Sequence, residues 1–396
     1  MKEWQYVKLG DVCTIERGGS PRPIEKYITN DDSGINWIKI GDTTDSMYIT
    51  KTEQKIIPDG MKKSRYVQAG DLLLSNSMSF GRPYILKIDG CIHDGWLVLR
   101  DSDNKFDKRF LYYYLSAPTT YEKFKNMAVG GVVNNLNSEM VRNVYVPIPS
   151  LVEQKEIAHS ILKLDVLIEK RKQQLQKLDE LVKARFVEMF GSLEENPQKY
   201  EVCEFADVVE YMCDIGSNGA NKAVVEHLDM KDEEDYAMMV RFLNFTKNDF
   251  YEDVKYISKE SYDFFRKSQV FGGELIICKI GSAGQSYIMP NLNRPVSLGL
   301  NQILVRVREN ILMDYLYQYL HSDYGERLVA GCVNGAVTKS ITKTELKKMP
   351  VVLPPIELQR RFVDFVQQIN KSKLSVQQSL EKLETLKKAL MQKYFG

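Results

Sequence analysis

The side chains with chemistry to offer cluster in short, glycine-punctuated stretches of this 396-residue chain. In the first half they are Arg22 and Lys26 beside Gly19-Ser20-Pro21, then Asn76, Ser77, Ser79 and Arg82 around Gly81, then Asn134 and Asn135 after Gly131. The second half offers Asn218, Asn221 and Lys222, then Lys279, Ser282 and Gln285 around Gly284, then Asn334, Thr338 and Lys339 around Gly335. Arg and Lys only donate hydrogen bonds, whereas carboxamides and hydroxyls both donate and accept, so such a set can grip planar polar edges without making or breaking a covalent bond. Each residue taken singly also fits ordinary turn chemistry. Covalent chemistry has no comparable signature. There is no GxxxxGK[ST] loop, no GxGxxG opening a helix, and no Asn/Asp-Pro-Pro-Tyr/Phe tetrapeptide. His93, His159, His227 and His321 are scattered, without metal-like or nucleophile-base spacing. The six cysteines form no CxxC pair, so buried free thiols are expected rather than disulfides or zinc. Neither a catalytic residue, a metal site nor a cofactor is expected.

The elements that must position these loops occur twice. Phe110 to Gly191 aligns without a gap on Tyr315 to Gly396 at an offset of 205, and both copies end in Phe-Gly. Tyr114 meets Tyr319, Pro149 and Gln154 meet Pro354 and Gln359, and Leu178 meets Leu383. Upstream the offset becomes 203, where Gly70-Asp71-Leu72 and Gly81 meet Gly273-Glu274-Leu275 and Gly284. Farther upstream only Leu9-Gly10-Asp11-Val12 beside Phe205-Ala206-Asp207-Val208 remains. Each copy closes with a heptad-patterned helix of about 37 residues, a rod of roughly 55 Å. The first begins near Glu153 and carries Ile157, Ile161, Leu164, Ile168, Leu175, Leu178 and Val182; the second carries Phe362, Val366, Ile369, Val376 and Leu380. Lys373 and Lys387 interrupt that second stripe, either setting register or turning out to water. Ahead of the rods, residues 35–40, 71–75, 96–100, 274–280 and 302–307 read as strands. One helix per domain is expected, near Arg109 to Leu115 and Asp314 to Leu320. Trp4, Trp37 and Trp96 and the tyrosines of residues 112–114 and 315–319 read as core.

Composition limits the setting. The charged N-terminal stretch and the lack of a long apolar run argue against a signal peptide or membrane span, and point to the cytoplasm. Net charge is +1, but residues 192–355 hold 18 basic against 24 acidic side chains, which disfavours indiscriminate binding to a polyanion.

The ordered motifs, LGDVCTIERGGSPRP, GDLLLSNSMSFGRP and NVYVPIPSLVEQKEI, followed by GGELIICKIGSAGQ, MPVVLPPIELQRRF and KYFG, resemble the specificity subunits of type I restriction-modification enzymes. The second copy departs in EYMCDIGSNGANK, which lacks the Gly-x-Pro of residues 19–21. The resemblance implies an α+β fold: two mixed α/β target-recognition domains related by pseudo-twofold symmetry and separated by two long antiparallel coiled-coil helices. It places the domains at residues 1–152 and 192–356 and the spacers at 153–191 and 357–396. It further implies that the loop residues above read bases of double-stranded DNA, each domain taking half of a split site, and that two methyltransferase subunits and restriction subunits supply the catalysis and its cofactors. A protein-binding coiled-coil adaptor is the competing reading, and a fused methylase or nuclease is disfavoured by the missing motifs.

If the rods measure the gap between half-sites, four residues added after Gln176 should lengthen one by about 6 Å and widen the gap by one or two base pairs, since the apolar stripe stays nearly in phase. Two added residues would rotate the stripe by about 200° and destabilise the fold. Sequencing the methylated sites of both variants checks the expectation.

Overall fold

The structure is a computed structural model and describes residues 4–77, 80–128 and 135–396. The chain divides into two units. One comprises Met1–Gln173 with Gln377–Gly396, the other Gln174–Val376. Each unit therefore contains one mixed α/β domain together with a stretch of both long helices.

In the first unit a sheet runs in the order Thr14–Arg17, Trp96–Arg100, Leu72–Ser75, Pro83–Leu86, Tyr48–Ile49. The second unit repeats that order as Val209–Cys213, Gln302–Val307, Leu275–Cys278, Ser286–Ile288. The central strands Leu72–Ser75 and Leu275–Cys278 are buried along their whole length, which explains their unbroken apolar runs. A further sheet shows the same correspondence. Gln54–Ile56, Ile35–Ile38, Gly90–Ile92 and Arg65–Val67 are matched by Lys255–Ile257, Ala237–Val240, Val296–Leu298 and Gln269–Val270, with the middle pair parallel in both units. Topology has thus persisted where sequence similarity has faded.

The repeated motifs have physical reasons. Gly70 and Gly273 both hold positive φ, and the acid that follows each pairs with an arginine on the neighbouring strand. Asp71 Oδ2 lies 2.9 Å from Arg100, and Glu274 Oε1 lies 3.1 Å from Arg306. Each guanidinium also donates to a carbonyl at an equivalent place, Tyr66 or Gln269, at 2.8 Å. The Tyr114 hydroxyl donates to the Tyr145 carbonyl at 2.7 Å, as that of Tyr319 does to the Pro350 carbonyl at 2.8 Å. Gln154 and Gln359 are wholly buried. Gln154 accepts from the Asp107 N–H and donates to the carbonyls of Lys105 and Pro149. Gln359 accepts from the Leu312 N–H and donates to those of Asn310 and Pro354. One carboxamide therefore fastens the start of each rod to the loop that leads into the domain helix.

That domain helix is followed by another, a departure from the single helix expected. Lys108–Ser116 stops at Ala117, and Pro118 opens Pro118–Ala128. Met313–Leu320 is followed by Asp323–Gly331, capped by the Ser322 hydroxyl on the Gly325 N–H. Trp37 and Trp96 are core residues, and Trp4 is half-buried against Phe110 and Tyr394. Four cysteines are buried; Cys203 and Cys332 are only half-buried. Burial raises the thiol pKa at all six, up to about 12 at Cys13, which suppresses the reactive thiolate.

The rods span Leu151–Phe190 and Ile356–Phe395, 40 residues each. Each ends in the domain of the opposite repeat. Phe395 packs against Phe110 and Tyr114 in the first unit, while Phe186 and Phe190 pack against Tyr315 and Phe362 in the second. The two helices run antiparallel within each unit, and Lys373 and Lys387 set their register. Lys373 pairs with Asp179, and Lys387 with Asp165, which also accepts the Tyr113 hydroxyl.

The insertion expectation changes accordingly. Both rods contribute a pair to each unit, so four residues in one rod alone would leave its companion four short. Matched insertions, after Gln176 and after Ser375, should retain folding and widen the gap; the single insertion should lower thermal stability. Gln359→Ala should remove three hydrogen bonds to backbone groups, one of them fully buried, and cost about 3 kcal/mol. A melting temperature equal to the parent's would refute that role for the carboxamide.

Candidate nucleic-acid interface

In each unit one aspartate joins the candidate loops, through its carboxylate and backbone carbonyl in the first and through its carboxylate in the second. In the first it is Asp94. Its Oδ1 accepts from the Ser20 hydroxyl at 2.7 Å, and its backbone carbonyl accepts from Arg17 Nε at 2.9 Å and Asn76 Nδ2 at 3.0 Å. The Ser20 hydrogen bond holds the Asp94 carboxyl below its ordinary pKa despite partial burial, so it stays ionised. The Asn76 carbonyl accepts from the Leu136 N–H at 2.9 Å, joining the third segment. The crossing is tight: a Cβ on Gly18 would lie 2.1 Å from the His93 carbonyl oxygen. Burial lowers the pKa of His93 itself and favours the neutral ring.

In the second unit the carboxylate is Asp214, 7% exposed. Its Oδ2 accepts from Lys279 at 2.7 Å and its Oδ1 from Lys343 at 2.9 Å and Ser217 at 2.8 Å. Burial alone would raise the Asp214 pKa, but these three donors outweigh it and hold the carboxyl well below the usual range. Asp214 thereby ties the segment after Val209–Cys213 to the glycine turn and to the helix that follows the Val333–Ile341 hairpin. The hairpin is also fastened by Gly281 N–H to Lys339 O at 3.1 Å and Ile341 N–H to Lys279 O at 2.9 Å.

The glycine turns are superposable in pattern. The Gly81 N–H donates to Ser75 O at 2.7 Å and the Gly284 N–H to Cys278 O at 2.9 Å, both glycines at positive φ. Beside each turn lies a cleft lined by equivalent residues. Phe80, Gly81, Arg82, Tyr84, Tyr112 and Tyr121 line about 500 Å³ in the first unit. Ala283, Gly284, Gln285, Tyr287, Tyr317, Glu326 and Lys339 line about 570 Å³ in the second.

The expected contact residues divide into two groups. Arg22, Lys26, Arg82, Asn135, Asn221, Lys222, Ser282, Gln285, Asn334, Thr338 and Lys339 are exposed, and Ser77 is half-buried. Arg22 sits 3.8 Å from Asp94, and Lys222 3.9 Å from Glu226. Asn76, Asn218 and Lys279 instead hold the loops. Asn76 is 2% exposed. Asn218 donates to Ile215 O and Ser268 Oγ and accepts from the Lys267 N–H, leaving its carboxamide fully engaged. Ser79 and Asn134 lie outside the described residues. Sequence reasoning missed Arg17, His93, Asp94, Asp214 and Lys343, because a search for donors to an acidic ligand passes over carboxylates that act on the loops themselves. Among the described residues no His, Cys, Asp or Glu cluster could hold a metal ion, and no helix is long and apolar enough to cross a membrane.

The chain is similar over 99% of its length to the MjaIX type I restriction enzyme specificity subunit of Methanocaldococcus jannaschii, at 21% identity and covering 92% of that protein. Similarity to the EcoKI specificity subunit of Escherichia coli K12 is also 21%, over 99% of this chain and 88% of that one. The fold matches the crystal structure of a type I restriction-modification S subunit from M. genitalium with a TM-score of 0.58 at 14% identity, covering 100% and 96% of the two chains. A chain from a structure describing assembly and conformational transition of a type I system matches with a TM-score of 0.58 at 17% identity, covering 100% and 98%. The model of the type I restriction modification DNA specificity domain matches residues 1–180 and 197–385, and the chain belongs to that family.

Proposed function

We propose that this chain is the DNA-recognition subunit of a type I restriction-modification enzyme, each unit reading one half of a bipartite, asymmetric site. The observation that carries the reading is the duplicated one: twice, three segments far apart in sequence are tied by one aspartate, Asp94 through its carboxylate and backbone carbonyl and Asp214 through its carboxylate, into a loop face that presents exposed cationic and carboxamide side chains beside a cleft. Rigid loops of that kind suit base-edge recognition, where Arg or Lys pairs with guanine and Asn or Gln with adenine. In this reading Arg22, Lys26, Ser77, Arg82 and Asn135 serve one half-site, and Asn221, Lys222, Ser282, Gln285, Asn334, Thr338 and Lys339 the other. Asn76, Asn218 and Lys279 hold the loops in place, and Ser79 and Asn134 remain candidates from their sequence positions.

Several carboxylates of residues 192–355 are engaged by lysines and arginines of the same segment, which leaves its acidic excess in place, so reading by this unit rests on shaped base contacts rather than on attraction to phosphates. Lys231 and Lys255 engage Asp229, Asp232 and Asp235, and Arg241 and Lys247 engage Asp253. Methyl transfer and cleavage belong to two methyltransferase subunits and to restriction subunits in the cytoplasm, with the cofactors bound there. Residues 1–152 and 192–356 act as the reading modules, and 153–191 and 357–396 as the spacers.

Three results are expected. The purified chain alone transfers no labelled methyl group to DNA, whereas the complex with its methylase subunits does. Exchanging residues 1–145 for those of a relative changes one half of the methylated site; both halves changing would refute modular reading. Gln285→Ala or Lys339→Ala weakens cognate binding by the roughly 1–3 kcal/mol of a base contact, about 5- to 150-fold, and relaxes only the half-site read by the second unit. DNA binding with no sequence preference at all would favour the adaptor reading.

A further inference from the structure

Among the described residues Val337 is the most exposed large apolar side chain, 98% accessible to solvent. A single exposed aliphatic residue is ordinary on a protein surface. Here its placement is built. Val337 stands at the tip of a two-stranded ribbon in which Val333 pairs with Ile341 and Asn334 with Ser340. The ribbon is fastened to the glycine turn by the two backbone hydrogen bonds already described and by an antiparallel bridge from Ile280 to Ser340. Its tip has a defined shape: Gly335 has φ +102°, and a Cβ there would meet the Thr338 carbonyl oxygen at 2.2 Å. Ala336, Val337, Thr338 and Lys339 are all exposed, so the tip presents one branched aliphatic group flanked by a hydroxyl and an ammonium.

A two-stranded ribbon fits the major groove of B-DNA, and the one apolar group on the base edges there is the C5 methyl of thymine. We infer that Val337 reads a thymine methyl in the half-site of the second unit. The inference rests on the DNA-recognition reading and assigns to it a contact chemistry different from hydrogen bonding.

The test uses the full chain in complex with its methylase subunits, on the site identified by sequencing methylated DNA. Each thymine of the second unit's half-site is replaced in turn by deoxyuridine, which removes only the methyl group. One replacement should weaken binding of the parent about three- to fivefold, the value of one buried methyl-sized group. The same replacement should leave Val337→Ala unaffected, because the contact is already gone, and so exposed a substitution leaves folding intact. Equal losses in parent and variant, no loss in either, or a half-site without thymine would overturn the inference. Absence of any sequence-selective binding by the parent complex would instead overturn the recognition reading on which it rests.

Discussion

Each recognition unit is closed by a helix end that arrives from the other repeat, and the rest of the molecule depends on that exchange. Phe190 lies wholly buried among Phe186, Tyr315 and Phe362, and Phe395 is buried against Phe110 and Tyr114. Truncating a buried phenylalanine costs about 3–5 kcal/mol, a large share of the 5–15 kcal/mol that stabilises a typical domain. Neither core is therefore complete from its own repeat. The Phe-Gly that ends each copy is explained on the same ground: the phenylalanine fills the receiving core, and after Phe190 the glycine takes the positive φ that ends the helix.

That constraint makes the lysines of the second rod intelligible. A long apolar stripe alone tolerates slippage by a heptad, whereas a lysine that must meet one particular carboxylate does not. Lys387 on Asp165 and Lys373 on Asp179 fix the pairing in each unit, and Asp165 passes the constraint on to Tyr113 of the domain helix. Gln154 and Gln359 extend it to the other end of that helix, so the backbone carrying the loops is referenced to the rods. Asp94 and Asp214 then act at the loop face from different chain positions, each joining three segments, Asp214 through its carboxylate and Asp94 also through its backbone carbonyl. Asp94 lies between two strands of the second half of its domain, and Asp214 follows the domain's first long strand.

The parts legible in the sequence were those whose physics leaves a periodic or repeated trace. The rods show in their heptads, the buried strands in apolar runs, and the Pro-x-x-x-x-Gln and Gly-Asp/Glu-Leu motifs in recurrence, because each fulfils a backbone requirement twice. The correspondence of the second sheets was not legible: one face packs on the first sheet in both units, but the other is covered by different segments, Ile24 and Tyr27 in one and Val224 and Phe265 in the other. The second domain helix was not legible: Pro118 and Ser322 each fall where one helical stretch stops and the next begins. At the loop face the candidates were chosen by residue type alone, which does not separate those that face solvent from those that hold the loops. The roles of Asn76 and Asn218 were not legible, because a carboxamide that satisfies buried backbone groups is the same residue as one that faces a ligand.

We propose that the loops joined by Asp94 and Asp214, and not the rods, form the DNA-facing surface. Amide hydrogen exchange of the chain in its methylase complex, with and without cognate DNA, measures this most directly. DNA-dependent protection is expected at residues 17–26, 76–95, 135–137, 214–222, 279–285 and 334–343, with the helices of residues 151–190 and 356–395 unchanged. Protection confined to those helices, with the loops exchanging as they do without DNA, would contradict it.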